Sequence, residues 1–441
     1  MIIIYNILLL ITIIIVFPFI IPILILSKKR RQTFFPRLGI SRTLSHCKRN
    51  GQHEIRQQTL WVHALSVGEV LSSVPLVKRL KQDIIKNSKN KRIVFSVSTK
   101  TGYEIACKLL SETVDIIFFF PYDLYFSVNW AVKKINPSIV VIVESDIWPN
   151  FLFAMKRHNI PVVLVNARLS DRSFKRYKRF SFFVKKILSV FTKICAQSKQ
   201  DAERYSTIGV SPEKLTITGN IKFDQDSIEL SEAEISVLKS SMKISPDRKI
   251  LLAGSTHKGE EALILEAFKK LKKHFNSLVL IIVPRDPKRA ASVCGIYESA
   301  GYMAIQLKDI SGTNFNSECD VIIIDVIGIL KKLYSIADAA FIGGSLVKNG
   351  GHNPLEPAAF SKPVIFGNDM SNFAEISNML LDAKAAMQVF DAAELYEAAL
   401  TLLEDEEAAL QMGKNAYGVF CNNKGAIDKT LDEIIGCLPP L

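Results

Sequence analysis

Residues 2 to 26 (IIIYNILLLITIIIVFPFIIPILIL) carry no ionisable group except Tyr5, and this unbroken apolar run constrains the chain more than anything that follows. It is long enough to cross a bilayer, for which about 20 apolar residues suffice. A cleaved signal peptide would begin with a short basic region, hold an apolar core of ~7 to 15 residues and end at a small-residue site, and none of these is present. Instead Ser27-Lys28-Lys29-Arg30-Arg31 follows. Basic residues beside a span stay in the cytoplasm, so everything after residue 27 is expected there, behind an anchor formed by residues 1–27. Pro18 and Pro22 leave a kinked or shallow interfacial segment open, because a missing backbone donor inside lipid is costly.

The remaining chain must fold in water. Its total of 441 residues exceeds one ordinary core and suits two domains of about 150 to 200 residues. Seven cysteines, odd in number and never spaced C-x-x-C, suggest neither disulfides nor zinc and point to a reducing compartment. The net charge of +13 favours an anionic partner: nucleic acid, anionic membrane or phosphorylated substrate. The apolar N-terminus argues against nucleic acid.

From Thr59 short apolar, often β-branched runs alternate with longer amphipathic ones, the pattern of βα units on a parallel sheet. Strands are expected at 60–65, 92–98, 115–120, 139–144, 162–166, 194–197 and 215–218. The pattern restarts after a polar bridge, 224–248, with strands at 250–254, 278–283, 321–325, 339–343 and 363–366; residues 392–438 read as helical. The expected architecture is an N-terminal lobe, 28–223, and a C-terminal lobe, 249–441, whose last helices pack back. Two such lobes imply a cleft, with ligands at the carboxyl ends of the strands.

Several clusters fall at those ends. In Trp61-Val62-His63-Ala64-Leu65-Ser66-Val67-Gly68-Glu69 a strand breaks into a glycine turn and a helix. Glu69 in the first helical turn is either a helix-start acid or a group placed to take a proton from a hydroxyl. In Val143-Glu144-Ser145-Asp146-Ile147-Trp148-Pro149-Asn150, Ser145 or Asp146 can cap the helix that Pro149 opens, which leaves Glu144 less explained. Lys222, in Gly219-Asn220-Ile221-Lys222-Phe223-Asp224, faces the bridge and suits a phosphate. Asp224-Gln225-Asp226 spells D-x-D, but no further carboxylate ligand is nearby and no metal is expected.

In the second half, Ala253-Gly254-Ser255-Thr256-His257-Lys258-Gly259-Glu260-Glu261 leads from strand to helix and can cradle an anion. It has the spacing of a P-loop, yet Glu260 and Glu261 stand where Lys and Ser/Thr belong, which excludes that reading. Val283-Pro284-Arg285-Asp286-Pro287-Lys288-Arg289 brings cations to the same edge. The run from Phe341 through Gly343, Gly344, Ser345, Gly350, Gly351, His352, Asn353, Pro354, Leu355 and Glu356 lets backbone approach a ligand, with Glu356 able to accept from a ribose; the alternative is a glycine loop with a capped helix. Residues 168–186 carry eight basic residues against Asp171 alone, interleaved with five aromatics. Arg172, Lys175, Arg176, Lys178 and Arg179 form either a solvated face or a patch for anionic headgroups.

The blocks W-V-H-A-L-S-V-G-E, E-S-D-I-W-P-N, N-A-R-L-S-D-R-S, G-N-I-K-F-D, A-G-S-T-H-K-G-E-E and G-G-H-N-P-L-E-P, in that order, resemble the 3-deoxy-D-manno-octulosonic acid (Kdo) transferases. The resemblance covers nearly all of the chain after the anchor. It implies a GT-B fold of two Rossmann-like lobes and inverting transfer of Kdo from CMP-Kdo, a substrate rather than a cofactor. The acceptor would be a phosphorylated, acylated disaccharide precursor of lipid A at the cytoplasmic face of the inner membrane, and no metal is implied. By the same likeness Glu69 is the general base, and Glu144 and Lys222 support the transition state. Ser255, Thr256, Pro284, Arg285, Ile327, Gly328, Ile329, Ser345 and Asn353, Pro354, Leu355, Glu356 hold CMP.

Two departures stand out. Where the family has D-T-x-G-E-L this chain has Asp325-Val326-Ile327-Gly328-Ile329-Leu330, so contacts from residues 327–329 would be through the backbone. Asp286 stands where a histidine is common. Two other readings compete: a GT-B relative using a UDP-sugar, and a non-catalytic, membrane-anchored binder of anionic ligands.

Overall fold

The computed structural model describes residues 2–39, 58–87, 91–144, 147–224, 230–310 and 319–440. Ser145, Asp146, Gln225 and Asp226, singled out above, lie outside them. The chain divides into two compact units, residues 1–225 with 423–441, and residues 226–422. Residues 423–441, which the sequence reading placed at the end of the second lobe among helices that pack back, cluster with unit 1. The reason is packing: Ala426, Ile427, Leu431 and Ile434 of helix Ala426–Gly436 belong to a core of unit 1.

Unit 1 begins with helices Ile2–Leu26 and Lys28–Leu38. Its sheet comprises β1 (Gln58–Ala64), β2 (Lys91–Val97), β3 (Ile116–Phe119), β4 (Ile139–Val143), β5 (Val162–Ala167), β6 (Lys193–Ala196) and β7 (Leu215–Ile217). The order is β3-β2-β1-β4-β5-β6-β7, parallel throughout, with Trp61 opposite Val94 and Leu60 opposite Ile139. Apolar runs form these strands because both faces are covered. Alternate residues divide between two cores, Trp61, Val140, Ile142 and Leu164 on one side and Leu60, Val62, Val141 and Val163 on the other. The strand order reverses between β1 and β4, which opens a crevice at their carboxyl ends.

Unit 2 opens with helix Glu232–Ser241, started by a capping box between Ser231 and Glu234 inside the polar bridge. Its strands are β8 (Ile250–Thr256), β9 (Val279–Pro284), β10 (Ala304–Gln306), β11 (Val321–Ile323), β12 (Ala339–Ile342), β13 (Val364–Gly367) and β14 (Ala386–Val389). They lie in the order β10-β11-β9-β8-β12-β13-β14, again parallel, with the reversal between β8 and β12. Strands β10 and β14 were not anticipated; they are short edge strands, half exposed, and lack the apolar run a central strand shows. The basic stretch 168–186 is two helices, Asp171–Arg179 and Ser181–Leu188, broken at Phe180.

Candidate active site

In unit 1 the chain leaves β1 through Leu65 and Ser66 and enters helix Val67–Asn87. Glu69, 9% exposed, accepts the Leu65 N–H at 2.6 Å and the Ser66 hydroxyl at 3.2 Å. Its carboxylate therefore braces the turn at the end of β1, and it keeps the place at the carboxyl edge that a base needs. His63 lies inside: Nδ1 is 3.0 Å from the Ser96 carbonyl and the ring stacks on Phe120.

Glu144 follows β4 with φ 65°. A left-handed glutamate costs of order 1–3 kcal/mol, a strain that persists where the surroundings over-determine it. Its Oε1 pairs with Lys222 Nζ at 3.2 Å, both side chains partly buried. Lys222 sits in the short 3₁₀ turn Ile221–Phe223, whose placement rests on three amides the sequence reading passed over. Asn166 Oδ1 accepts the Ile221 N–H at 3.1 Å, Gln197 donates to the Asn166 carbonyl at 2.9 Å, and Asn220 donates to Gln197 at 3.1 Å. Asn166 adopts φ 53° where the β5–β6 register shifts, a bulge that re-aims its side chain. The signal that exposes Glu144 also marks Asn166 and Gln197, since each is a polar residue closing an apolar strand.

Asp224 is spent as a cap: its carboxylate accepts the N–H groups of Gly425 and Ile427 at the start of helix Ala426–Gly436. Among the described residues no cluster of three or more His, Cys, Asp or Glu is arranged to hold a metal ion.

In unit 2 a second bulge lies in β8, where Ser255 takes φ 59°. Gly343 comes so close to β8 that a Cβ there would fall 2.5 Å from the Ser255 carbonyl oxygen. Only glycine permits that approach. Glu260, fully buried, accepts N–H bonds from His257 (2.8 Å), Gly344 (2.7 Å), Ser345 (2.9 Å) and Leu346 (3.0 Å). Burial raises its carboxyl above the usual range, and those four N–H groups oppose the rise. The residue that disqualifies a P-loop thus ties the β8 and β12 loops together, and the N–H groups of the glycine loop serve a carboxylate of the protein itself. Ser345 is fully buried, with its hydroxyl accepting from the Gly367 N–H, and the Thr256 hydroxyl donates to Glu261, which also takes both Arg289 Nη groups.

Other groups at this edge, His257, His352, Asn353 and Glu356, are partly buried. His257 and His352 bring their Nε2 atoms to 2.8 Å with rings stacked at 9°. Burial, then Arg285 and His257, pushes His352 down to about 4. Glu356, in the short turn Leu355–Ala358, is raised to about 7 by burial, opposed by Lys331 and Arg285. The Arg285 N–H, next after β9, bonds the Thr256 carbonyl at 3.0 Å, which holds residue 285 beside the end of β8. Asn353 accepts the Leu355 N–H at 3.1 Å, and Pro354 is the residue before that turn. The loop after β11 is exposed, with Ile327 74% accessible and Gly328 at φ 101°. Arg172, Lys175, Arg176, Lys178 and Arg179 are all exposed, on a helix with no buried residue and with Phe180 and Phe182 exposed just after it. Helix Ile2–Leu26 is long and apolar enough to cross a membrane, and residues 2–19 of it are unburied.

A family profile described as 3-deoxy-D-manno-octulosonic-acid transferase matches residues 32–225, and one described as glycosyl transferases group 1 matches residues 246–419. The 3-deoxy-D-manno-octulosonic acid transferase of Haemophilus influenzae is 37% identical over 85% of this chain and 86% of its own length. That of Rickettsia felis is 32% identical over 85% of this chain and 78% of its own. A crystal structure of a glycosyltransferase from Rickettsia africae aligns with 88% of this chain and 100% of its own, with TM-score 0.55 and 16% identity, a likeness of fold. With two parallel seven-stranded sheets of GT-B type and this sequence identity along its length, the chain belongs to the 3-deoxy-D-manno-octulosonic acid transferase family of glycosyltransferases.

Proposed function

We propose that the chain transfers Kdo from CMP-Kdo to a sugar hydroxyl of a phosphorylated, acylated disaccharide precursor of lipid A, with inversion, at the cytoplasmic face of the inner membrane. The observation that carries the reading is convergence in unit 2: the Arg285 N–H after β9 bonds the Thr256 carbonyl of β8 at 3.0 Å, and His257, next after β8, meets His352 of the β12 loop at 2.8 Å, so the ends of three strands bring their polar groups to one edge. Arg285 and Pro284 take the phosphate end of CMP, the Asn353–Glu356 run takes the ribose, and backbone of residues 327–329 takes the base. Thr256 and Ser345 act by positioning, since their hydroxyls are engaged within unit 2, and Ser255 stays a contact for CMP.

In the reaction the acceptor oxygen forms a bond to the anomeric carbon of Kdo as the bond to the CMP phosphate oxygen breaks. The acceptor proton passes to Glu69, and CMP leaves with the bonding electron pair. Lys222, oriented by Glu144, offsets charge that develops as the bond breaks. No metal is required in this scheme, because cationic side chains supply the compensating charge. The basic helix Asp171–Arg179 and the apolar N-terminal helix hold the enzyme against anionic lipid.

Incubating the full chain with CMP-Kdo and the acylated, phosphorylated disaccharide, followed by mass spectrometry of the lipid, should show additions of Kdo. UDP-sugars in place of CMP-Kdo should give none. Transfer from a UDP-sugar alone, or no product from folded protein, overturns the reading.

A further inference from the structure

Tyr5 and Asn6 interrupt the apolar sequence of helix Ile2–Leu26, and both are engaged by unit 1. Tyr5 donates its hydroxyl to Asp123 Oδ2 at 2.9 Å. Asn6 and Asn150 exchange amide bonds, Asn6 Nδ2 to Asn150 Oδ1 at 3.0 Å and Asn150 Nδ2 to Asn6 Oδ1 at 2.7 Å. The receiving site is itself well made: Asp123 and Asn150 are 6% and 5% exposed, and Asp123 also accepts the N–H groups of Asn150 and Phe151 at 3.0 and 2.8 Å. These open helix Pro149–Arg157.

The other end of the segment is fastened to the same unit. Arg37 of helix Lys28–Leu38 donates to the Phe120 carbonyl at 2.9 Å and lies 4.3 Å over the Tyr122 ring. The Tyr122 N–H returns a bond to the Arg37 carbonyl, and Ser127 donates to the Leu38 carbonyl at 3.1 Å.

Together the two sets of bonds decide the topology. A helix rises about 1.5 Å per residue, so residue 26 lies roughly 30 Å from residue 6, the thickness of a hydrocarbon core. In a perpendicular span Asn6 would stand on one side of the bilayer and Arg37 on the other, while unit 1, which bonds both, occupies one side. We infer that helix Ile2–Leu26 is an in-plane anchor, lying at the headgroup and acyl boundary of the single leaflet that unit 1 faces.

The rest of the helix suits that partner. Ile3, Leu8, Ile14 and Phe19 are 59–71% exposed, an apolar face turned from unit 1. Pro18 interrupts the hydrogen-bond ladder, and water near the headgroups can meet the carbonyl it leaves without a donor, where the bilayer centre cannot. Tyr125 and Phe126, beside Asp123 in the chain, are 58% and 60% exposed, and Arg30 and Arg31 are exposed for anionic headgroups.

Two measurements on the full chain in its own membrane test the inference. In the double variant Asn6→Cys/Asn150→Cys, a short permeant bis-maleimide should cross-link most of the membrane-bound chain, and neither single variant should show that product. In a chain extended ahead of residue 1 by Cys-Gly-Ser-Gly-Ser, which leaves the docking residues intact and holds the thiol in water, an impermeant maleimide should label the added cysteine above the native-cysteine background in inverted vesicles but not in intact spheroplasts. Labelling from the outer side, labelling from neither side, or absence of the cross-link overturns it. Should the double variant fail to accumulate, the extended chain decides alone.

Discussion

Glu144 and Glu260 are acids at the carboxyl edges of the two sheets, and they are held in opposite ways. Glu260 is sunk beneath the surface and saturated by four backbone N–H groups. Glu144 stands partly exposed in a left-handed conformation, with Lys222 against it. The first arrangement spends the charge on architecture, while the second keeps it available at the cost of local strain. An acid at a strand end is thus no sign of chemistry until its hydrogen bonds are counted.

Glu69 lies between these extremes, and the largest effect is expected there. Glu69→Gln keeps an acceptor for the Leu65 N–H but removes the basic charge, so kcat should fall by at least ~10²-fold with thermal stability and CMP-Kdo affinity little changed. Normal turnover by the variant would move the base elsewhere, with Glu144 next.

The comparison itself breaks or holds on a pair of substitutions. Glu260→Ala leaves buried N–H groups without an acceptor and should destabilise unit 2 by about 3 kcal/mol or more in denaturant unfolding. Glu144→Gln should change stability by less than about 1 kcal/mol, because a partly exposed ion pair contributes little, and should instead lower kcat. Equal stability losses in the two variants would refute the distinction.

Much of this was legible in the sequence. Val140 to Val143 or Leu280 to Val283 can hardly be anything but buried strands, and a polar residue closing such a run, as Glu144 does, marks the carboxyl edge. The role of Glu260 was not legible, because its partners Gly344, Ser345 and Leu346 lie 84 to 86 residues away. The docking of Tyr5 and Asn6 was hidden likewise, since local pattern reports a helix and its apolar face but not which distant side chains meet two polar residues within it. The three amides under Lys222 were missed for a different reason: each fits an ordinary strand-end polar residue, and only their mutual bonds reveal a support.

Protonation sharpens the contrast within unit 2. His352 has its folded pKa lowered, to about 4, so the unfolded chain binds the extra proton between about 4 and 6.5 and this residue makes stability rise with pH. Glu356 is raised to about 7, so the folded chain holds the extra proton between about 4.5 and 7 and this residue makes stability fall with pH. The two oppose each other across the shared window. Relative to the unmodified chain, His352→Asn should therefore tilt stability downward as pH rises from 4.5 to 7, and Glu356→Gln should tilt it upward from 4 to 6.5, each change at most about 3 kcal/mol and less where solvent screens. Denaturant midpoints across that range with the same slope in both variants would contradict the assignment.

The effect most sensitive to salt concerns lipid. Replacing Arg176, Lys178 and Arg179 with Ser should weaken binding to anionic vesicles by about 1 kcal/mol per charge at low salt, and the loss should shrink as salt is raised. Binding by the unmodified chain that ignores salt would assign these charges to a solvated face.

The return of helix Ala426–Gly436 to unit 1 affects how the chain is made. The helix brings Ile427, Leu431 and Ile434 to the core, Glu433 to Thr216 and Lys193, and Pro439 to Gln58. During synthesis helices Ile2–Leu26 and Lys28–Leu38 are made well before residues 423–441, and the unit they dock onto stays unfinished until those residues follow. For that interval an apolar trough between helix Val67–Asn87 and strand β6 has no cover. A gene fragment stopped before residue 423 would fix the chain in that unfinished state, so a folded first half should require residues 423–441 to be supplied, joined or as a separate peptide.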